Sequence, residues 1–408
     1  MAKLISVSEA LALIAKTPIS QKTCVMLKES FGHVLSQDVA AKVTLPPHNA
    51  SAMDGYAVKL EPHHKLGSKF TLIGEAPAGR PYEGVVGTDE TVRIFTGGAV
   101  PDGANHVIMQ ENVRANGDVI TLSEPTSPAS HIRKAGIDFK TGDRVLAKGT
   151  QIGAYELAIL AAANCDTLPV TFAPKVALIA NGDELVAPGK MTNMGQVISS
   201  NPYGLMPLLN SWGANTINMG ISKDDPKAIR AQIARAVHQG ADILVPIGGA
   251  SVGDHDYMRL VFAELGYEKT FEKVAVKPGK PVWFGTMANQ DYPQYILGLP
   301  GNPASALVTA HLFLKPLIKA LTGAATAHKF VNARMTHPVK AATWRAEYIR
   351  AHAVVDENGT LHVTAIPRQD SSLLTPFLTA NCFLVREPQD QALELGERAK
   401  IMLIKPLN

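Results

Sequence analysis

The chain has 408 residues, 46% of them hydrophobic and 18% charged, a balance that excludes a disordered protein and predicts roughly two to four globular domains. Its formal net charge of +3 is too small to mark a nucleic-acid-binding protein, so any cationic function must be local. Three scattered cysteines, Cys24, Cys165 and Cys382, form no metal-knuckle or disulfide pattern and lead us to expect a reducing, cytoplasmic setting; no stretch approaches the roughly 18 uninterrupted apolar residues of a membrane span.

Ser6 and Glu9 have capping-box spacing, which predicts a short amphipathic helix over residues 6–16 with Leu11, Ile14 and Ala15 on one face. The alternating stretch Val34 to Val39 predicts an extended arm, broken by Pro46-Pro47. Within Asn49 to Val58, Asp54-Gly55 reads either as a hairpin turn or as a functional loop. Short β-like runs at 70–73, 91–95, 106–109 and 118–121, punctuated by Gly and Pro, predict a small all-β module, with Thr96-Gly97-Gly98 as a tight turn inside it. Ile152 to Ala163 predicts an alanine-rich helix closed by Asn164.

From Lys175 onward the texture becomes alternating strands and helices. Strands are expected at 176–180, 216–219, 242–247 and 295–297, with further strand material at 271–276 and 282–284. Helices are opened by Asn201-Pro202 and Asp225-Pro226, near Tyr257, and by Asn302-Pro303, with Asn201 and Asp225 as N-caps. This order predicts a parallel or mixed sheet covered on both faces. From Pro338 a run of strands, with a hairpin turn at Asp356 to Gly359, predicts a small β-barrel or sandwich.

Three loops concentrate the chemistry: Gly248-Gly249-Ala250-Ser251-Val252-Gly253, Lys277-Pro278-Gly279-Lys280-Pro281, and Leu299-Pro300-Gly301-Asn302-Pro303-Ala304-Ser305. Each follows an apolar strand-like run, and the first and last lead into helices, the rim where open α/β sheets bind ligands. Glycines admit close backbone approach, and helix N-termini favour anions. Lys273, Lys277 and Lys280 add positive charge, so the expected ligand is an oxyanion or a phosphorylated molecule. Asp183, Glu184, Asp224, Asp254 and Asp256 stand near strand–helix junctions without a His or Cys ligand set, which suits Mg²⁺ bridged to phosphate. Asp183 and Asp225 have a second reading as helix caps. Gly249-Ala250-Ser251-Val252-Gly253 has the spacing of a nucleophile elbow, but Asp254, His255 and Asp256 lengthen the loop before the helix and disfavour a serine hydrolase. Walker A, dinucleotide-binding and zinc-helix signatures are absent from the sequence.

Taken with Ser51-Ala52-Met53-Asp54-Gly55-Tyr56-Ala57-Val58, Thr96 to Pro101 and Gly182-Asp183-Glu184-Leu185, these motifs resemble the molybdopterin molybdenumtransferase (MoeA) family, related to the E domain of gephyrin and to the plant Cnx protein. The resemblance covers nearly the whole chain in the family's order. It implies an α/β multidomain protein: a discontinuous linking domain (1–48 and 140–172), a β-rich insertion (49–139), a molybdopterin-binding α/β domain with a covered, mostly parallel sheet (173–327), and a C-terminal β-barrel (328–408). It also implies that adenylylated molybdopterin is cleaved and molybdate inserted at the pterin dithiolate, releasing AMP with Mg²⁺ assisting.

The resemblance further implies a homodimer whose site lies between subunits. Asp54, Thr96 and Asp138 would come from one side, and Glu184, Asp224, Asp256, Lys273 and Lys277 from the other. Glu184, Asp224 and Asp256 would hold the metal. Asp183, Gly248, Gly249, Ser251, Gly253, Lys280, Pro300, Gly301, Asn302, Pro303 and Ser305 would line the pterin site. A molybdopterin adenylyltransferase and molybdoenzyme chaperones are the expected partners, with no nucleic acid and no membrane. Asn181, Ala250, and His48 with Ala50 depart from the family's usual residues and read as tuning. Two other readings are adenylyl transfer to molybdopterin and a non-catalytic cofactor carrier or scaffold.

Overall fold

The computed structural model describes residues 4–249, 257–287 and 294–407. Its central body is a six-stranded mixed sheet in the order Asn215–Ser222, Lys175–Asn181, Ile243–Ile247, Gln294–Gly298, Trp283–Met287, Tyr267–Phe271. The first four strands are parallel, and Trp283–Met287 pairs antiparallel with both of its neighbours, Gln294–Gly298 and Tyr267–Phe271. Period-two alternation sorts the central strand between two cores: Val176 and Leu178 face the Asn201–Ser211 helix side, Ala177 and Ile179 the Pro226–His238 side. All four are fully buried, and burying a side chain the size of Val176, Leu178 or Ile179 contributes roughly 1.5–3 kcal/mol. The N-terminus joins this body. Leu4–Ile5 pairs in parallel with Lys273–Val274, and the Val7–Ile14 helix inserts Val7, Ala10 and Ile14 into the same core.

A second core joins sequence-distant pieces. Lys22–Met26 pairs with Thr167–Thr171, Val39–Ala40 pairs with Arg144–Leu146, and Leu35, Val39, Phe139, Ile152, Leu160 and Val170 pack together. This is the discontinuous linking unit. Between its halves lies a six-stranded sheet in the order His106–Met109, Gly55–Val58, Glu90–Ile94, Lys69–Ala76, Val119–Leu122, Val113–Asn116. Tyr56 and Val58 fill one face of that sheet and Ala57 the other. At the C-terminus the strands Ala346–Val355, Leu361–Ala365, Val331–Met335, Arg398–Leu403 and Cys382–Arg386 close into a five-stranded barrel. The short strand Val276–Lys277 pairs in parallel with Ala346–Glu347 and ties the central body to this barrel.

Local signals mostly set the element ends. Ser6 and Glu9 form the reciprocal cap, with Glu9 N–H donating to Ser6 Oγ at 3.1 Å and Ser6 N–H to Glu9 Oε2 at 2.7 Å. Asp225 caps its helix through Ala228 N–H at 2.8 Å, and Asn164 leaves the Ala154–Ala162 helix at φ +60°. The Asn201 cap is displaced: Ser200 is the N-cap, because the Asn201 amide is used elsewhere, donating to Gly301 O at 2.7 Å. Asp54-Gly55 is not a simple hairpin turn either. Ala50–Ser51 pairs with Ile132–Arg133, whereas Gly55–Val58 pairs with Glu90–Ile94 and His106–Met109.

The run Pro303–Thr322 is one continuous 20-residue helix, apolar enough to cross a membrane yet 83% buried inside the central core. A π-turn interrupts it at Ala310–Leu314. Pro316 has no N–H for the Leu312 carbonyl four residues earlier, and His328 Nε2–H donates to that carbonyl instead, at 3.0 Å.

Candidate functional site

Two of the predicted rim loops, at Gly248 and Gly301, meet the Gly182-Asp183-Glu184 corner at the carboxyl ends of the parallel strands. Asn181 is buried in register with Ser222, and its amide donates to Asp224 Oδ1. Asp224 N–H donates in turn to Asp183 Oδ1 at 3.2 Å, so Asp183 serves this corner and caps no helix. Gly182 has φ +152°, and a Cβ there would lie 2.3 Å from Glu184 Oε2; the carboxylate of Glu184 occupies the space a side chain would need. Gly248 comes just as close to the backbone, since a Cβ on it would lie 2.6 Å from Asn181 O. A Cβ on Gly301 would touch Gly248 Cα at 3.4 Å. Asp183, Glu184, Asp224, Gly248 and Gly301 therefore belong to one continuous rim, with Gly249 next to Gly248.

The start of the Pro303–Thr322 helix is partly occupied. Asn302 Nδ2 donates to Ser371 Oγ at 2.9 Å, and Ala304 N–H donates to Ser371 O at 3.0 Å. Pro303 has no N–H at all, so this terminus offers fewer open donors than its sequence predicts. Pro300 and Ser305 are buried while Gly301 and Asn302 are exposed. Ser371 arrives on a loop stapled by buried Arg350, which donates to Gln369 Oε1 at 3.2 Å, Leu373 O at 2.8 Å and Asp370 O at 2.9 Å.

The lysine turn packs against the same helix. A Cβ on Gly279, at φ +109°, would lie 2.2 Å from Thr309 Cγ2 and 3.7 Å from Ser305 O, and Val274 N–H closes the loop onto Lys280 O at 3.1 Å. Lys277 Nζ is 3.2 Å from Glu347 Oε1, with its side chain 48% exposed against 11% for Glu347, so the ammonium can face a second anion without leaving its partner. Burial works to raise the Glu347 carboxyl, but donors from Thr343 and Lys277 outweigh it and hold the group below the usual carboxylate range. Lys280 Nζ lies 5.8 Å from the Trp344 ring. Lys273 sits in the strand paired with Leu4 and makes no ion pair among the described residues. Glu347, Trp344, Arg345 and Ser371 match no motif, and only the fold brings them to this corner.

In the insertion sheet Asp54 and Thr96, far apart in sequence, come together. Asp54 Oδ1 accepts from Thr96 N–H at 2.7 Å and from Thr96 Oγ1 at 2.8 Å. These bonds, helped by the charge of Arg93, hold the Asp54 carboxyl below its ordinary value. Arg93 rests over Tyr56 and Phe95 at 4.8 and 5.1 Å and donates to Gly55 O at 3.3 Å, which fixes the loop. Asp138 lies exposed on a separate loop, its N–H bonded to Leu45 O at 3.2 Å, and shares no hydrogen bond with Asp54 or Thr96 among the described residues. Ser251, Gly253, Asp254 and Asp256 lie outside the described residues.

Among the described residues, the group of three potential ligand residues with metal-like spacing is His63, His64 and Asp89, not the rim carboxylates. Its hydrogen bonds speak against a metal. His64 Nδ1 accepts the Glu61 N–H at 3.0 Å, so Nε2 carries the proton and donates to Asp89 Oδ1 at 3.0 Å.

Comparison with known proteins agrees with this architecture. Residues 5–164 match the MoeA N-terminal region (domain I and II), 177–320 a probable molybdopterin binding domain, and 332–404 the MoeA C-terminal region (domain IV). A molybdopterin molybdenumtransferase of Haemophilus influenzae is 35% identical over 94% of this chain and 93% of its own length. One from Staphylococcus aureus is 30% identical over 98% of this chain and 95% of its own length. The crystal structure of a molybdopterin biosynthesis MoeA protein from Pyrococcus horikoshii superposes with TM-score 0.81 at 29% identity, covering 98% of this chain and 100% of that one. With its linking unit, β insertion, covered mixed sheet and closed barrel, the chain belongs to the molybdopterin molybdenumtransferase family.

Proposed function

We propose that this chain inserts molybdate into adenylylated molybdopterin, releasing AMP and completing the molybdenum cofactor. The observation that carries the reading is the single rim formed by Asn181 to Glu184, Asp224, Gly248 and Gly301, with the Lys277–Lys280 turn packed along the helix that starts there. It is supported by the names of relatives that match along nearly their whole length.

The physical roles follow from charge. Lys277, half in solvent while held by Glu347, and Lys280 supply positive charge for the phosphates of the substrate and for the molybdate dianion, and glycines at the rim let backbone come close to both. Asp183 Oδ1 and Asp224 Oδ1 are already taken as acceptors, and Glu184 with the other Asp224 oxygen offers hard oxygens for Mg²⁺. Two carboxylates completed by substrate phosphate and water are how Mg²⁺ is usually held, so the residues fit. When bound, the ion would neutralise charge on the pyrophosphate. Holding molybdate beside the pterin dithiolate supplies rate through proximity. The Asp54–Thr96 loop acts on this rim from the second subunit of a homodimer.

The test supplies adenylylated molybdopterin, Mg²⁺ and molybdate to the purified protein and follows AMP and cofactor together. Stoichiometric release of both is expected, lost on chelation of Mg²⁺ and reduced by at least ~100-fold in Glu184→Ala with the fold intact. Binding without turnover would replace the enzyme reading with a carrier, and failure to bind would reject both.

A further inference from the structure

We propose that Trp344 is a positioning residue whose indole stacks on a planar heterocycle of the substrate, while Lys280 and Arg345 beside it meet the attached phosphate charge. The proposal deepens the functional reading above and rests on it. Three observations carry it. Trp344 is 53% exposed, whereas Trp212 and Trp283 are buried at 6% and 2%. An indole left half in solvent on the loop between Val331–Met335 and Ala346–Val355 presents a flat apolar face with no aromatic neighbour among the described residues.

Second, two cations lie at cation–π distance from that ring: Lys280 Nζ at 5.8 Å and Arg345 Cζ at 5.2 Å from its centre. Neither has a carboxylate partner among the described residues, in contrast to Lys277 three positions before Lys280. Arg345 Nη1 donates to Val276 O at 3.4 Å, which holds the guanidinium against the lysine turn. Third, this loop is fixed on that turn. Thr343, adjacent to Trp344, donates through N–H and Oγ1 to Glu347 Oε1 at 3.1 and 2.7 Å, and Glu347 holds Lys277. Aromatic face, cations without a carboxylate partner among the described residues and the predicted phosphate-binding lysines thus share one small surface. The chemistry it suits is a fused nitrogen heterocycle carrying phosphate, a description that fits both the pterin and the adenine ends of the proposed substrate.

The contact is read through fluorescence. Because the other two tryptophans are buried, iodide should quench Trp344 selectively, and its neighbouring cations favour the anionic quencher. The full chain is titrated with adenylylated molybdopterin in the absence of molybdate, with occupancy measured separately by equilibrium dialysis. Saturable loss of iodide-accessible emission is expected in step with occupancy, and that signal is absent from Trp344→Phe. AMP alone protecting the tryptophan would place adenine on it; protection only by the whole substrate would place the pterin there.

Trp344→Ala should raise KM by about 10- to 100-fold with kcat nearly kept, and Trp344→Phe should restore most of the loss. Normal occupancy with unchanged emission, or a Trp344→Ala variant that loses kcat while KM stays fixed, would overturn the stacking role and leave the proposed reaction standing. Absence of binding by dialysis would overturn both.

Discussion

Gly182 is where side-chain economy and chemistry meet, because the carboxylate of Glu184 fills the position a Cβ would take. Replacing Gly182 with Ala should cost roughly 1–3 kcal/mol and displace Glu184, lowering turnover more than stability; urea midpoints and AMP release measured together would separate the two effects. His311 makes a different prediction. Buried between Trp212 and Phe383, with ring centres at 5.0 and 5.7 Å, its imidazole is pushed down to about 3, first by burial and then by Lys315 and His328. Between that value and the ordinary 6.5 the unfolded chain binds a proton that the folded chain does not. Stability from this residue is therefore complete above pH 6.5 and falls as pH drops toward 3, by up to about 1.4 kcal/mol per pH unit. His311→Gln should flatten that acid limb of the unfolding curve, and an unchanged slope would refute the assignment. The Gly-Asp-Glu motif was legible because its spacing is local. Nothing in sequence pairs Lys277 with Glu347, because 70 residues separate them and only the strand pairing of Val276–Lys277 with Ala346–Glu347 brings them together.

The strands and helices of the central body could be read from alternating and helical periodicity, since each is buried on faces the pattern defines. The long helix was legible at its start, from Asn302-Pro303, but not at its π-turn, which depends on a carbonyl freed by Pro316 and met by His328 from outside the helix. The loop at 369–373 was equally invisible, because its order comes from a buried arginine in another strand. Arg350→Met keeps much of the side-chain volume and removes the guanidinium donors, leaving the Leu373 and Asp370 carbonyls to find new partners while the backbone N–H of residue 350 still donates to Gln369 Oε1. It should destabilise by about 2–4 kcal/mol in urea unfolding and loosen Ser371 from Asn302, with hydrogen exchange at Ala304 N–H rising more than elsewhere in the helix.

At the scale of the whole molecule, the linking core joins residues 22–45 to 139–171 and carries the insertion sheet, while the Val276–Lys277 strand joins the central body to the barrel. The Asp54–Thr96 pair and the Asp183–Glu184–Asp224 rim thus stand on separate units of one chain, and no hydrogen bond or ion pair joins them among the described residues. Our account requires them to meet across two chains. Subunit complementation tests this most directly: Asp54→Ala and Glu184→Ala proteins, each inactive alone, are unfolded, mixed in equal amounts and refolded, and AMP release is assayed. Random pairing makes half the dimers mixed, each with one intact site of two, so about a quarter of the wild-type rate should return. A mixture that forms mixed dimers yet stays inactive would contradict a site shared between subunits.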